Sequence, residues 1–404
     1  MLMTMLSIVI PAYNEEKGIK EIMERVLKVR TSLQDAGVDE MELVVVNDGS
    51  KDGTLEAAND IASQYDCVRI LSHPQNRGYG AALKTGFAQS RGDLVGFLDA
   101  DGTYPPEYFP QLCQAALKGA ELVIGTRMTG EESQMPATRR LGNVIFANML
   151  CLLGWQHVTD CASGMRVFRK EILEHLSPLP DGLNLTPVMS TRAVHEGVKM
   201  VEVPIPYSER VGRSKLSVVR DGRLFFTSMV WTVLSYNPVR VLGIAGLLGV
   251  GFAALVGMGL VIARLSGVTA LNPWWVFALF AALVLGVAGI SLFALGVTFN
   301  YLVSLFYQEP VRQGLFGKPM FKKPLEHQFG WMGVVCMAVG LLIALVSFVF
   351  SLNGWEIARL WLYLLGGALI NLVGIQLIIY WLLISVLHDL SQRDLLTQAD
   401  MQPW

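Results

Sequence analysis

Short apolar runs alternate with amphipathic stretches along the first half of the chain, and long unbroken apolar runs fill the second. Leu6–Ile10, Leu43–Val46, Val68–Leu71, Leu94–Leu98 and Leu122–Ile124 are runs of strand length. Between the first two, Glu16–Ala36 places Ile19, Ile22, Met23, Val26 and Leu27 at helical spacing. Gly80–Ser90 reads as a second helix. Strands alternating with helices predict an α/β domain with a mostly parallel sheet and crossover helices. Ligands in such sheets bind beyond the carboxyl ends of the strands.

From about Val239 onward the pattern changes. Val241–Ala263, Trp274–Tyr307, Trp331–Leu352 and Leu360–Leu387 are uncharged or nearly so. A helix needs about 20 apolar residues to span hydrocarbon, so these runs predict four transmembrane helices. Met1–Ile10 lacks the basic start of a signal peptide, which predicts a cytoplasmic first domain. The segment Gln308–Phe329 carries Arg312, Lys318, Lys322 and Lys323, whereas the neighbouring loops offer only Arg264 and Arg359. That bias also puts the basic loop, and with it the tail bearing Arg393, in the cytoplasm. Between the halves, Leu216, Val219, Phe226 and Val230 recur at helical spacing beside Arg220, Asp221 and Arg223, which suits a helix lying in the membrane interface. The expected organisation is a catalytic domain over 1–215, an interfacial helix over 216–238, a membrane domain over 239–390 and a tail over 391–404.

Composition agrees. Of 404 residues, 52% are hydrophobic and 16% charged, against about 25% charged in soluble domains. The formal net charge of -2 argues against a nucleic-acid partner. Five cysteines without a CxxC pair argue against a zinc site or a disulfide framework, and fit buried apolar roles in a reducing compartment.

Polar motifs sit where the strands end. Pro11–Glu15 follows the first strand, Asn47-Asp48-Gly49-Ser50 the second, Asp99-Ala100-Asp101-Gly102 the fourth and Gly125-Thr126-Arg127 the fifth. Asp99 and Asp101 flank a small residue after a buried strand, a pattern able to offer carboxylates to one hard cation shared with phosphate oxygens. Asp48 reads either as a plain turn residue or as a contact to a nucleotide's base or ribose.

Together with Asn76-Arg77-Gly78, Arg139-Arg140-Leu141-Gly142-Asn143, Ser163-Gly164-Met165-Arg166 and Arg210–Leu216, these motifs resemble glycosyltransferase family 2. Within it they are similar to the dolichyl-phosphate mannose synthases and their bacterial polyprenyl-phosphate relatives. The resemblance covers roughly residues 5–235. It implies a GT-A fold and transfer of a hexose from a nucleotide-sugar, GDP-mannose or a UDP-sugar, to a polyprenyl phosphate with inversion. It further implies that Pro11, Tyr13, Glu15, Val46, Asp48 and Ala100 hold the donor, and that Asp99 and Asp101 hold Mg²⁺ or Mn²⁺. Arg210 and Lys215 would contact donor phosphates, and Arg127, Arg139 or Arg140, and Ser163 would receive the lipid phosphate. Met165 replaces the family's usual Phe, and the Arg210–Lys215 spacing is one residue shorter than in the eukaryotic mannose synthases.

A phosphate monoester is largely ionised at neutral pH, so this nucleophile needs cations to position it rather than a general base. Asp160 is therefore read as orienting Arg166 or its loop, with a catalytic base as the alternative. His73, His157 and His195 read as structural, and Arg77-Gly78-Tyr79-Gly80 as a turn entering a helix. Trp274-Trp275 reads as an interfacial anchor, and Asn300 and Asn371 as polar contacts between spans. A processive polysaccharide synthase is the competing enzyme, but its Gln-x-x-Arg-Trp segment does not occur. A non-catalytic lipid-binding scaffold would not require both Asp99 and Asp101. A homo-oligomer is compatible with all three.

Overall fold

The computed structural model describes residues 3–129, 133–154, 157–208, 217–268, 272–307, 328–355 and 357–400. The chain divides into two compact units, Met1–Val233 and Leu234–Trp404.

The first unit is built on a seven-stranded sheet. Its strands are β1 (Met5–Ala12), β2 (Glu40–Asn47), β3 (Val68–Ser72), β4 (Leu94–Phe97), β5 (Leu122–Thr126), β6 (Arg166–Arg169) and β7 (Met200–Pro204), in the order β3-β2-β1-β4-β6-β5-β7. All neighbours are parallel except β6, which runs antiparallel to both β4 and β5. The five strands expected from the apolar runs are present. β1, β2, β4 and β5 are buried along nearly their whole length, which explains their unbroken apolar sequence: both faces of the sheet are covered.

On one face lie α1 (Ile19–Lys28), α2 (Arg30–Asp35), α3 (Thr54–Ala62) and α5 (Phe109–Leu117), packed through Ile22, Val26, Ala58 and Leu112. The expected single helix over Glu16–Ala36 is broken at Val29 into α1 and α2. On the other face lie α4 (Tyr79–Gln89) and α8 (Leu185–His195), with Leu83, Phe87 and Met189 in the core. Gly86 lets α4 approach the sheet: a Cβ there would overlap Val9 Cγ1 and lie 3.3 Å from Val46 Cγ2. The unit is completed by α6 (Ala137–Gly154), the short α7 (Leu173–Leu176) and α9 (Val218–Tyr236), whose last residues begin the second unit.

In α9 the buried residues are Asp221, Phe225, Met229, Thr232 and Val233, while Val219, Phe226 and Trp231 are exposed. Two of the expected apolar stripe positions, Val219 and Phe226, therefore face outward. Asp221, expected on the polar side, is buried because it accepts the Ser217 N–H at 2.7 Å and closes the helix start. Leu216 lies outside the described residues.

The second unit contains α10 (Pro238–Leu265), α11 (Pro273–Tyr307), α12 (Phe329–Leu352) and α13 (Ile357–Asp400). Each has a segment long and apolar enough to cross a membrane. Within this unit α10 meets α11 and α12 meets α13 where glycines face backbone. A Cβ at Gly249 would come within 2.8 Å of the Leu285 carbonyl, and one at Gly374 within 2.8 Å of the Gly333 carbonyl. Small residues at such crossings are how helices gain contact where lipid removes the hydrophobic driving force. Asn371 packs against Gly340 of α12. The basic segment expected to fix orientation lies, over 308–327, outside the described residues.

Gly86→Ala is expected to overpack the α4–sheet contact and cost about 1–3 kcal/mol. The check is the unfolding midpoint of the full-length protein in detergent, which should fall relative to wild type.

Candidate active site

The carboxyl ends of β1, β2, β4 and β5 open onto a cavity of about 520 Å³ in the first unit. Pro11, Ala12, Tyr13, Glu15, Asp48, Asp99, Ala100, Asp101, Arg127 and Arg139 all border it. Residues from four separate strand-end motifs and from α6 thus meet on one concave surface.

Asp48 is held on the strand β2 side. Its Oδ1 accepts the Arg77 N–H at 2.9 Å and faces His73 Nδ1 at 2.7 Å, and its Oδ2 accepts the Gly78 N–H at 2.8 Å. The carboxylate thereby fixes the turn that enters α4, and its residue is 3% exposed. His73 does not itself border the cavity; its other ring nitrogen meets Thr85 Oγ1 at 2.9 Å.

At the centre, Tyr79 donates its hydroxyl to Asp99 Oδ1 at 2.8 Å. Burial, and then the Asp99 charge, push the Tyr79 phenol up, so it remains a donor. Gly164 sits against the same carboxylate: a Cβ there would lie 2.6 Å from Asp99 Oδ2. Asp101 Oδ1 accepts from the Thr103 hydroxyl at 2.6 Å and its N–H at 3.2 Å. Among the described residues no group of three or more His, Cys, Asp or Glu is clustered for a metal ion.

On the β5 side a buried ion pair closes the wall. Arg127 donates Nε and Nη2 to the two oxygens of Asp160, each at 2.7 Å, and its backbone N–H to Oδ2 at 3.0 Å. The side chains are 11% and 0% exposed. Burial alone would raise the Asp160 carboxyl, but the Arg127 charge and hydrogen bonds hold it below the usual carboxylate range. Tyr104 and Tyr207 flank the guanidinium at 5.7 and 5.2 Å from their ring centres. Glu202 of β7 accepts the backbone N–H groups of Thr159 and Asp160, both at 2.9 Å.

These contacts revise several sequence expectations. Asp160 pairs with Arg127, not Arg166, and its engagement of both oxygens does not suit a catalytic base. Arg166 is buried and donates instead to the carbonyls of Ser163 and Cys161. Burial pulls it down to about 10. Ser163 does not border the cavity: it is buried, and its hydroxyl donates to the Gly125 carbonyl at 2.6 Å. Val46 points into the core behind α4, so its side chain cannot touch a nucleoside. Arg139 borders the cavity and Arg140 does not. Arg210 and Lys215 lie outside the described residues. Tyr79, Tyr104, Tyr207, Gly164 and Arg220 also border the cavity, beyond the site residues expected from the sequence. Of these, only Tyr79 and Gly164 stood inside recognised motifs.

Asp160→Asn is expected to strand the Arg127 cation in a buried wall, at a cost of about 3–5 kcal/mol. The sign with pH follows from the lowered Asp160 value. The pair's contribution is complete above the ordinary aspartate pKa, about 3.9, and falls away as pH drops through the native value. Wild type should therefore lose its stability margin over Asp160→Asn on acidification, read from unfolding midpoints at pH 7 and below pH 4.

A family model described as "Glycosyl transferase family 2" matches residues 7–177, and one described as "Domain of unknown function (DUF8752)" matches residues 238–398. The chain is 32% identical over 225 residues to the dolichyl-phosphate hexose transferase of Haloferax volcanii, covering 56% of this chain and 92% of that one. It is 31% identical over 324 residues to the undecaprenyl-phosphate 4-deoxy-4-formamido-L-arabinose transferase of Pseudomonas paraeruginosa, covering 77% and 89%. Among solved structures it resembles glucosyl-3-phosphoglycerate synthase from Mycobacterium tuberculosis with Mn²⁺, UDP and glucosyl-3-phosphoglycerate, at 24% identity and a TM-score of 0.45, covering 57% of this chain and 80% of that one. With a relative at this identity matched over nearly its whole length, the motif series and the mostly parallel sheet have one reading: the chain is an enzyme of glycosyltransferase family 2, a GT-A domain followed by apolar helices.

Proposed function

We propose that the enzyme moves one sugar from a nucleotide-sugar, GDP-mannose or a UDP-sugar, to a polyprenyl phosphate, either dolichyl or undecaprenyl. The observation that carries this reading is the cavity itself. Two carboxylates from the β4 end and the cationic side chains Arg127, Arg139 and Arg220 border one space, with Phe146, Leu183 and Phe225 beside them. An anionic donor and an acceptor that is half phosphate and half hydrocarbon need that combination. The names of the two relatives support the same acceptor class.

In this reading Pro11, Tyr13, Glu15, Asp48 and Ala100 hold the donor. Asp99 and Asp101 fit a hard divalent cation, Mg²⁺ or Mn²⁺. Such ions take one or two carboxylates and complete their shell with phosphate oxygens and water. The ion would neutralise charge on the leaving diphosphate. Tyr79 and Gly164 fix the Asp99 carboxylate for that task. Arg127, whose Nη1 makes no hydrogen bond among the described residues, and Arg139 attract the lipid phosphate. Arg210 and Lys215 act on the donor diphosphate. The acceptor oxygen is already ionised, so it attacks the anomeric carbon in one displacement and inverts it. The apolar helices anchor the enzyme in the membrane, with the catalytic unit on the cytoplasmic face, whether as a monomer or a homo-oligomer.

The test is transfer of radiolabelled sugar from a panel of UDP- and GDP-sugars into butanol-extractable lipid by the full-length protein. Wild type should label the lipid with at least one donor. Asp101→Ala, or wild type in EDTA, should fall to background while the unfolding midpoint of Asp101→Ala stays near wild type. Full activity of Asp101→Ala in EDTA would overturn the metal assignment.

A further inference from the structure

We infer that the donor is a uridine diphosphate-sugar, and that His73 is the positioning residue that sets this choice through Asp48. This rests on the transferase reading above and goes further by naming the base.

An ionised carboxylate offers about four acceptor positions. Asp48 spends three of them inside the protein. The N–H groups of Arg77 and Gly78 take one on each oxygen, and His73 takes a second on Oδ1. At 2.7 Å from a carboxylate oxygen, His73 Nδ1 must carry the proton, and Thr85 Oγ1 meets the opposite ring nitrogen at 2.9 Å. Oδ1 is thus full, and one position, on Oδ2, is left for a ligand in the cavity that Asp48 borders.

The carboxylate cannot turn to offer more. Asp48 and His73 are 3% and 7% exposed. The adjoining Gly49, at φ 68°, has its Cα so close to the 75–76 backbone that a Cβ would lie 2.6 Å from the Asn76 nitrogen. The wall formed by 47–50 and 73–78 is packed backbone against backbone.

One acceptor position selects among base edges. Uracil presents a single imide N3–H between two carbonyls. Guanine presents two neighbouring donors, N1–H and the 2-amino group, which pair with a carboxylate through both oxygens. With Oδ1 full, the amino group is left desolvated without a partner, a loss of about tenfold or more. Cytosine and adenine place a ring-nitrogen lone pair where uracil has N3–H, so they meet the carboxylate acceptor to acceptor. Pro11, Ala12 and Tyr13 border the cavity with Asp48, whose N–H donates to the Ala12 carbonyl at 2.8 Å.

The experiment is calorimetric titration of the full-length protein in detergent with UDP, GDP, CDP and ADP, each with Mn²⁺. UDP should bind at least about tenfold more tightly than the other three. His73→Leu removes the donor on Oδ1 and should narrow the UDP-to-GDP ratio to about threefold or less. His73→Asn, whose amide nitrogen can occupy the Nδ1 position, should restore the wild-type ratio. A purely structural His73 would alter stability and leave the ratio unchanged. GDP, CDP or ADP binding as tightly as UDP to wild type would overturn the base assignment while leaving sugar transfer intact. Failure of every diphosphate to bind wild type would overturn the transferase reading itself, and this inference with it.

Discussion

A guanidinium and a carboxylate leave water together only when each satisfies the other, and Arg127 with Asp160 meets that condition in the wall of the cavity. The pair joins the end of β5 to the loop before β6 through three hydrogen bonds. Much of the site's second half hangs on it. Glu202 of β7 anchors the same loop from behind, and Asn143 of α6 donates to the Thr159 carbonyl at 2.9 Å. Tyr104, beside the guanidinium, accepts the Gly164 N–H at 2.7 Å, and Gly164 lies against Asp99. A continuous set of contacts therefore runs from the buried pair to the Asp99 carboxylate at the cavity. A buried ion pair is weak evidence for stability but fixes geometry, and here it fixes the β5 side of the cavity wall.

The other half of the site is held differently. Parallel strands β1 and β2 end in step at Ala12 and Asn47, β4 ends beside Val9 of β1, and hydrogen bonds to Asp48 and Asp99 tie down the turn into α4. This half was legible in the sequence because its parts are local: an apolar run, then a polar turn with glycine. The motif residues Pro11, Tyr13, Glu15, Asp48, Asp99 and Asp101 could be placed at one edge from that pattern alone.

What escaped the sequence needed tertiary information. β6 reads Arg-Val-Phe-Arg, and nothing local says that Arg166 is buried at 0% exposure on carbonyls of its own loop. β7 is an edge strand, half-exposed, with Glu202 turned to another segment's backbone. Arg139 and Arg140 lie about 100° apart on a helix, so only the helix phase chooses between them. Val46 and Ser163 sit in motifs yet turn inward, because the side chains next to a functional position also build the core. Tyr104 and Tyr207 are distant in sequence and meet edge to face at 5.5 Å. The apolar helices were the plainest feature to read, since length and lack of charge suffice.

The most direct test of the account is the chemical identity of the product. The full-length enzyme, given polyprenyl phosphate in liposomes, a nucleotide-sugar and Mn²⁺, should yield a lipid carrying one sugar on its phosphate. The anomeric configuration, read by mass spectrometry and NMR, should be opposite to that of the donor. A lipid-free polymer, or a product with the donor's configuration retained, would contradict it.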